Sequence, residues 1–435
     1  MQHRGGAVAD GAVGGLVDDL FRHEAGRLIA RLTRFFGTAQ LDLAEEAVQE
    51  ALMRALREWP FAGIPDQPDQ WLYRTARNAA LDRLRRQGTA KRLSRDVVML
   101  AEARLADSSD HVFAREIDDD QLRLMFICCH PDLPPEARVA LTLKTVGGFG
   151  TGEIARAFLA EETAIAQRLV RAKRRIAELE LPFAMPGPDA LPARLQSVID
   201  VIYLLFNEGY APGEGDAVIR DDLCAEGVRL AQLLAAHPVT GTPEVCALAA
   251  LLCFQAARIP ARGDGAGDIL RLAEQDRSLW DRALIAVGFT HLDRAARGDA
   301  LTALHLEAGI ASCHAGAARF AETDWPAIVG YYDLLLERAS NPVVALNRAM
   351  AVSMAEGPAA GLRALEAVAT APSLRRYYLL PAARGDLLER LDRPAPAIAA
   401  FSEALALAGT APLRRFIEGR IAVLRGQLPQ AASGG

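Results

Sequence analysis

Between Leu41 and Trp59 apolar residues recur every three or four positions. Leu41, Ala44, Val48, Ala51/Leu52, Ala55 and Trp59 form one stripe, the spacing of one face of an α-helix. Asp42, Glu45, Glu46, Gln49 and Glu50 occupy the rest of its first half, where the helix dipole favours acids, and Arg54 and Arg57 lie nearer its end. A second helix is predicted in WLYRTARNAALDRLRRQ, Trp71 to Gln87. Its stripe is Leu72, Thr75/Ala76, Ala79/Ala80 and Leu84, which leaves Arg74, Arg77, Asn78, Asp82, Arg85 and Arg86 mainly on the other faces. Further on, Pro134 and Pro135 open EARVALTLKTV, which stops at Gly147–Gly148. TGEIARAF, with Thr151 as its N-cap, and ETAIAQRLVRAKRRI then read as two helices joined by a short turn. Few β-branched runs occur and Pro or Gly punctuates the helices, so the chain is predicted to be all-α.

At 435 residues the chain is too long for one ordinary core, and about 150 residues per domain suggests about three parts. After a flexible head to about residue 15, the pattern gives a helical block over 15–95, a charged linker over 96–117, and a helix-turn-helix block over 118–180. A Pro-rich linker over 181–192, LPFAMPGPDALP, precedes a helical extension over 193–430. The extension contains a weak repeat: PAAGLRALEAV at 358–368 resembles APAIAAFSEAL at 395–405. Gly385, Ala397, Phe401 and Ala404 fall at the small-and-aromatic spacing of a tetratricopeptide helix pair, in which small residues let two helices approach and Phe401 fills the gap. A generic antiparallel bundle is the competing architecture.

A net charge of −6 excludes a uniformly basic nucleic-acid coat, so DNA contact requires local patches. There are two. In the first, Trp71 and Tyr73 can stack on unpaired bases while Arg74, Arg77, Arg85 and Arg86 hold phosphates, an arrangement suited to a strand drawn out of duplex DNA. In the second, Thr163, Gln167 and Arg168 start a recognition helix that can meet base edges, and Arg171, Lys173, Arg174 and Arg175 fit phosphates. The competing reading of both is a solvated basic helix, with Trp71 as a core anchor. An acidic helix beside a basic aromatic one also suggests a protein partner as well as DNA.

Six cysteines without a CxxC pair read as reduced thiols of a cytoplasmic protein. Cys128, Cys129 and His130 are adjacent, but neighbours on a helix diverge by about 100° and no second ligand pair follows, so buried thiols are expected rather than a metal site. The amino terminus lacks an apolar signal core, and no run reaches the ~18 apolar residues of a membrane span. His291 with Asp293, or His305 with His314, are the only candidates for enzyme chemistry. With no nucleophile motif beside them they are expected to be core or surface residues, so neither catalysis nor a cofactor is expected.

The ordered set AEEAVQE, WLYRTARNAALDRLRR and EIARAFLAEETAIAQRLVRAKRRI resembles the extracytoplasmic-function sigma factors of bacterial RNA polymerase, over about residues 15–180. The resemblance implies that Asp42, Glu46, Gln49 and Glu50 face the polymerase clamp helices. It further implies that Arg77, Asn78, Asp82, Arg85 and Arg86 lie at the minus-ten element and the reader helix at the minus-thirty-five element. Ala164 and Ala166 stand where many members carry Thr and Lys, so contacts at those positions are not implied, and Thr75 replaces the usual Ile. The chain continues well past the point where these factors normally end. VIYLLFNEGY at 201–210 and TDW at 323–325 resemble the subgroup with a helical, tetratricopeptide-containing extension. Core polymerase and promoter DNA are then the expected partners. The extension is expected to regulate the factor through its own sigma domains or through another protein. A conventional helix-turn-helix regulator with a tetratricopeptide sensor is the alternative, but it leaves the acidic helix unexplained.

Overall fold

A computed structural model describes residues 24–88, 113–158, 160–210, 220–263 and 270–427. The flexible head and most of the charged linker therefore lie outside the described residues. The described residues contain helices and no extended strand. They fall into two compact units, Met1–Leu204 and Leu205–Gly435.

The first unit opens with α1 (residues 24–36) and a 3-10 turn, Thr38–Gln40, followed by α2 (Leu41–Ala62) and α3 (Pro68–Gly88). The stripe read in α2 is buried in full, and Leu72, Ala76, Ala80 and Leu84 of α3 pack against it. Each fully buried Leu is worth about 1.5–3 kcal/mol, more than an exposed ion pair supplies, so the apolar seam holds this block together. Pro60 stands in the last turn of α2, and Gly63, at φ 82°, closes it by donating its N–H to Trp59 O. That left-handed backbone favours glycine. One charged residue departs from the pattern: Glu45, read as part of the exposed acidic face, is 4% exposed.

The second block comprises α4 (Phe113–Cys128), α5 (Pro135–Thr145), α6 (Thr151–Ala157) and α7 (Glu162–Glu178). Helix α4 already covers residues 113–117, which the pattern assigned to the linker. Helix α5 ends just before Gly147, and Gly148 takes φ 72°. The N-cap of α6 is Gly150 rather than Thr151; Glu153 accepts its N–H at 2.6 Å, which satisfies one orphan donor of the first turn. Cys128 and Cys129 are fully buried, their thiols set against Thr145 and Thr142 Oγ1 at 3.0 and 3.4 Å. Burial pushes the Cys129 thiol up to about 12.

The Pro-rich segment is not where the units divide. Helix α8 (Leu191–Tyr210) begins in it, and its first turns are bonded to the second block. Ser197 Oγ donates to Cys129 O at 2.6 Å and accepts from Arg138 at 2.8 Å, and Arg194 donates to Phe126 O.

Among the described residues the second unit takes the end of α8 and ten further α-helices: α9 (Asp221–Ala236), α10 (Pro243–Ala256), α11 (Arg282–Ala295), α12 (Ala303–Gly316) and α13 (Trp325–Arg338), then α14 (Pro342–Ala355), α15 (Pro358–Val368), α16 (Leu379–Arg390), α17 (Pro394–Leu407) and α18 (Ala411–Gln427). Most successive helices pack in chain order, and α10 also packs directly against α12, often with a glycine facing an aromatic ring. A Cβ on Gly288 would meet Phe254 at 2.6 Å, one on Gly309 would meet Tyr331 at 2.7 Å, and one on Gly385 would meet Phe401 at 2.9 Å. The last pair is the one the repeat suggested, and Ala397 and Ala404 are fully buried beside it. Pro243–Ala261 corrects the expectation that no segment matches a membrane span: it is long and apolar enough by composition. Val245–Phe254 are all buried in the unit, as a helix apolar on every side requires in a protein core.

Candidate nucleic-acid interface

Helices α2 and α3, with the loop between them, border a cavity of about 660 Å³, open to solvent and lined by Glu50, Arg54, Asp66, Gln70, Trp71, Arg74, Asn78 and Asp82 among others. Trp71, Arg74, Asn78 and Asp82 are spaced at three and four residues and so share one face of α3. Trp71 is half-buried, edge-on to the buried Trp59 with ring centres 5.5 Å apart. It is therefore both an anchor and a wall of the cavity. Trp71 offers stacking surface, and Gln67, Gln70 and Asn78 offer amides, to a base, while the carboxylates Glu50, Asp66 and Asp82 outnumber Arg54 and Arg74 in the lining.

The remaining sequence-derived residues of α3 lie elsewhere. Tyr73 is half-buried under the Arg31 guanidinium, 4.1 Å from its ring centre, with Arg77 at 6.0 Å, so these two face α1 rather than the cavity. Arg85 and Arg86 are exposed at the end of the helix, and Arg85 pairs with Asp82 at 3.4 Å. Sequence reading missed the loop residues Asp66 and Gln67 and, in the first turn of α3, Gln70, whose only signal was Pro and Asp punctuation before Trp71.

On α2, Asp42, Glu46, Gln49 and Glu50 are exposed along one side. Arg83 from α3 holds two of them, pairing with Glu50 at 2.9 Å and also with Glu46. This arginine sits at the margin of the α3 stripe, one residue before Leu84, and its partners are far away in sequence, so spacing alone gives it no role.

The helix-turn-helix is carried by α6 and α7. Ile165, Leu169, Ala172 and Ile176 bury one face of α7, and Thr163, Gln167, Arg171, Arg174 and Arg175 are exposed while Arg168 is half-buried. Lys173 departs from the basic set: its side chain is only 12% exposed and turns to α2, with Nζ 2.8 Å from Asp42 Oδ1 and 2.5 Å from Glu45 Oε2. Burial disfavours the Lys173 ammonium, but the two carboxylates outweigh it and its pKa is raised. Burial raises Glu45 as well, against the pull of Lys173, and Glu45 Oε1 has no hydrogen-bond partner.

The histidines of the extension form no catalytic set. His305 Nδ1 accepts the Thr302 N–H at the start of α12 at 3.1 Å. His291 is 9% exposed. His314 lies edge-on to Trp325, and burial together with Arg258 and Arg277 lowers its pKa to about 3. Among the described residues no cluster of three His, Cys, Asp or Glu side chains is placed to hold a metal.

Residues 20–89 match the family model "Sigma-70 region 2", residues 123–176 match "Sigma-70, region 4", and residues 194–296 match a family of unknown function, DUF6596. An uncharacterised protein of Rhizobium meliloti (strain 1021) is 40% identical over 390 residues, covering 89% of this chain and 90% of its own. A protein of Mycobacterium tuberculosis described as probable ECF RNA polymerase sigma factor SigI is 26% identical over 224 residues, 48% of this chain and 76% of its own. No solved structure matches the chain.

Proposed function

The chain belongs to the sigma-70 family, as an extracytoplasmic-function type factor with a helical carboxy-terminal extension, and from that premise we propose how its residues divide the work of promoter reading. Sigma regions 2 and 4 imply binding to core RNA polymerase and to promoter DNA, and the family is not enzymatic. The exposed acids of α2, Asp42 and Glu46 above all, dock on the polymerase. The cavity beside Trp71, Arg74, Asn78 and Asp82 takes a base of the displaced minus-ten strand. Unstacking a base costs a few kcal/mol, which stacking on Trp71 and phosphate contacts offset. The α7 face of Thr163, Gln167, Arg171 and Arg174 reads the minus-thirty-five element.

The observation that carries this reading is the open α2–α3 cavity beside Trp71, which offers an aromatic ring and side-chain amides to an unpaired base, a feature a duplex-binding regulator does not need. In the extension, glycine-to-aromatic helix pairs such as Gly385 with Phe401 favour a tetratricopeptide-like array. We assign that array a regulatory role over the sigma domains on the same polypeptide. The polymerase assignment is tested by pull-down with core enzyme. Asp42→Lys with Glu46→Lys should weaken capture at least tenfold with helicity unchanged; equal capture removes the docking assignment.

A further inference from the structure

We propose that the extension binds a doubly charged oxyanion, a phosphate group, at a cluster of buried arginines around Trp280. The site lies wholly in the second unit and stands apart from the promoter-reading assignment.

Two short turns gather the cluster. Arg258 follows α10 at the entry to a 3-10 turn, Ile259–Ala261, and Arg277 opens another, Arg277–Leu279. Asp281 donates its N–H to Ala257 O at 2.9 Å, which holds the two turns side by side. Trp280, 2% exposed, then has the Arg258 guanidinium 5.4 Å and the Arg277 guanidinium 4.7 Å from its ring centre. His314, in the last turn of α12, joins them: its carbonyl accepts from Arg277 at 2.9 Å, and both guanidiniums add to burial in lowering its pKa.

The cluster carries charge without a counter-charge. Arg277 is 6% exposed, and its other acceptors are Ala317 O at 2.7 Å and Thr323 Oγ1 at 3.2 Å. Arg258 meets Gln255 Oε1 at 3.4 Å. All of these acceptors are neutral. Burial lowers the pKa of both arginines, and neighbouring guanidiniums lower them further, Arg262 at Arg258 and Arg258 with Arg282 at Arg277. The carboxylate that opposes this at Arg277 is Glu322, which is exposed and already paired with Arg319. Arg420 of the same unit shows the ordinary arrangement: it is 14% exposed and bound to Glu389, with Asp386 at 3.8 Å.

Donors are also left over. Arg258 Nε, Arg277 Nε and Trp280 Nε1 are buried and have no acceptor among the described residues, and His314 Nδ1 is unpaired as well. Guanidinium and indole nitrogens only donate, so the group that completes them is an acceptor, and the unmatched charge makes it an anion. A phosphate dianion answers two guanidiniums, where a carboxylate would leave one unmatched, and its oxygens suit the arginine fork. Arg258 and His314 are half-buried and Arg282 is exposed, so the cluster reaches the surface.

The test is calorimetric titration and thermal unfolding of the full-length chain with inorganic phosphate and with glycerol phosphate, against acetate and chloride at constant ionic strength. About 10 mM phosphate should bind saturably and raise the unfolding midpoint of the second unit by about 3–6 °C for a Kd of about 1 mM. A larger shift with the ester assigns the site to a phosphate monoester, and equal shifts assign it to the free ion. Arg258→Met should keep or raise the midpoint in chloride, because it removes an unmatched buried charge, and should lose the phosphate shift. Arg258→Lys should retain part of it. No saturable phosphate binding, an equal shift with acetate, or an undiminished shift in Arg258→Met would each overturn the proposal. So would an Arg258→Met chain that is unfolded or less stable in chloride, since Arg258 would then be a structural anchor. Neither readout involves polymerase or DNA, so failure here leaves the promoter-reading assignment standing.

Discussion

Lys173 and Arg174 are neighbours in one basic run, yet their surroundings predict opposite phenotypes. Arg174 is 74% exposed and its contact is Glu178 one turn on, at 3.6 Å, a pair worth at most about 0.5 kcal/mol. Arg174→Ala should leave stability within about 0.5 kcal/mol and remove one phosphate contact. The slope of log affinity against log salt then falls by about 0.9. Lys173 neutralises Glu45, whose side chain is 5% exposed, and Asp42, which is 68% exposed. The Asp42 contact contributes at most about 1 kcal/mol in that setting. The Glu45 contact matters more, because removing one partner of a buried pair strands the other, at about 3–5 kcal/mol for a fully enclosed pair. We take the lower end, about 3 kcal/mol, because Glu45 gains a proton more readily than an ordinary glutamate. Lys173→Ala should therefore destabilise the first unit and leave the salt slope for a short minus-thirty-five duplex unchanged. Urea unfolding at pH 7 and fluorescence anisotropy between 50 and 200 mM salt provide the two readings. A slope reduced as much by Lys173→Ala as by Arg174→Ala, with no loss of stability, would refute the reasoning.

Ser197→Ala removes a hydroxyl, 4% exposed, that serves both Cys129 O and Arg138, so the first unit should lose about 1–3 kcal/mol in urea unfolding. A chain ending at Pro192, which also lacks Arg194, should be less stable than one ending at Leu204, and equal stability would detach α8 from the reader block. His314 binds a proton far less readily folded than unfolded, its pKa falling from 6.5 to about 3. Its contribution to stability is full above about pH 6.5 and is lost as pH falls towards about 3, by up to roughly 4–5 kcal/mol. His314→Gln should flatten the fall in urea midpoint between pH 6.5 and 4 relative to the unaltered chain; parallel curves would show that His314 is not the titrating group.

Much of this architecture was legible because it is local. The stripes of α2 and α3 follow from spacing alone, and the left-handed turn at Gly148 falls where the glycine pair marked the end of α5. Gly385 and Phe401 could be matched because the pair lies within one helix hairpin. What could not be read depends on distant partners. Glu45 looks like any other acid on an exposed helix until the reader helix covers it, and Lys173 looks like a phosphate ligand until its carboxylates are seen. The basic aromatic helix reads as one site in the sequence, but the turn of the helix sends Tyr73 and Arg77 towards Arg31 and leaves Trp71, Arg74, Asn78 and Asp82 on the cavity. Pro-rich composition suggested a free linker, whereas Leu191 starts a helix that Arg194 and Ser197 fasten to the second block. Thr151 lost the cap position to Gly150 because the Glu153 carboxylate reaches back to the glycine N–H.

Transcription from a library of genomic fragments by purified core RNA polymerase, with and without the full-length chain, tests the central claim most directly. Discrete start sites that require the chain and share two separate upstream elements are predicted. Those starts should disappear with Asp42→Lys and Glu46→Lys. Duplex binding without polymerase at palindromic sites, together with no chain-dependent start sites, would contradict it and make the chain a conventional DNA-binding regulator.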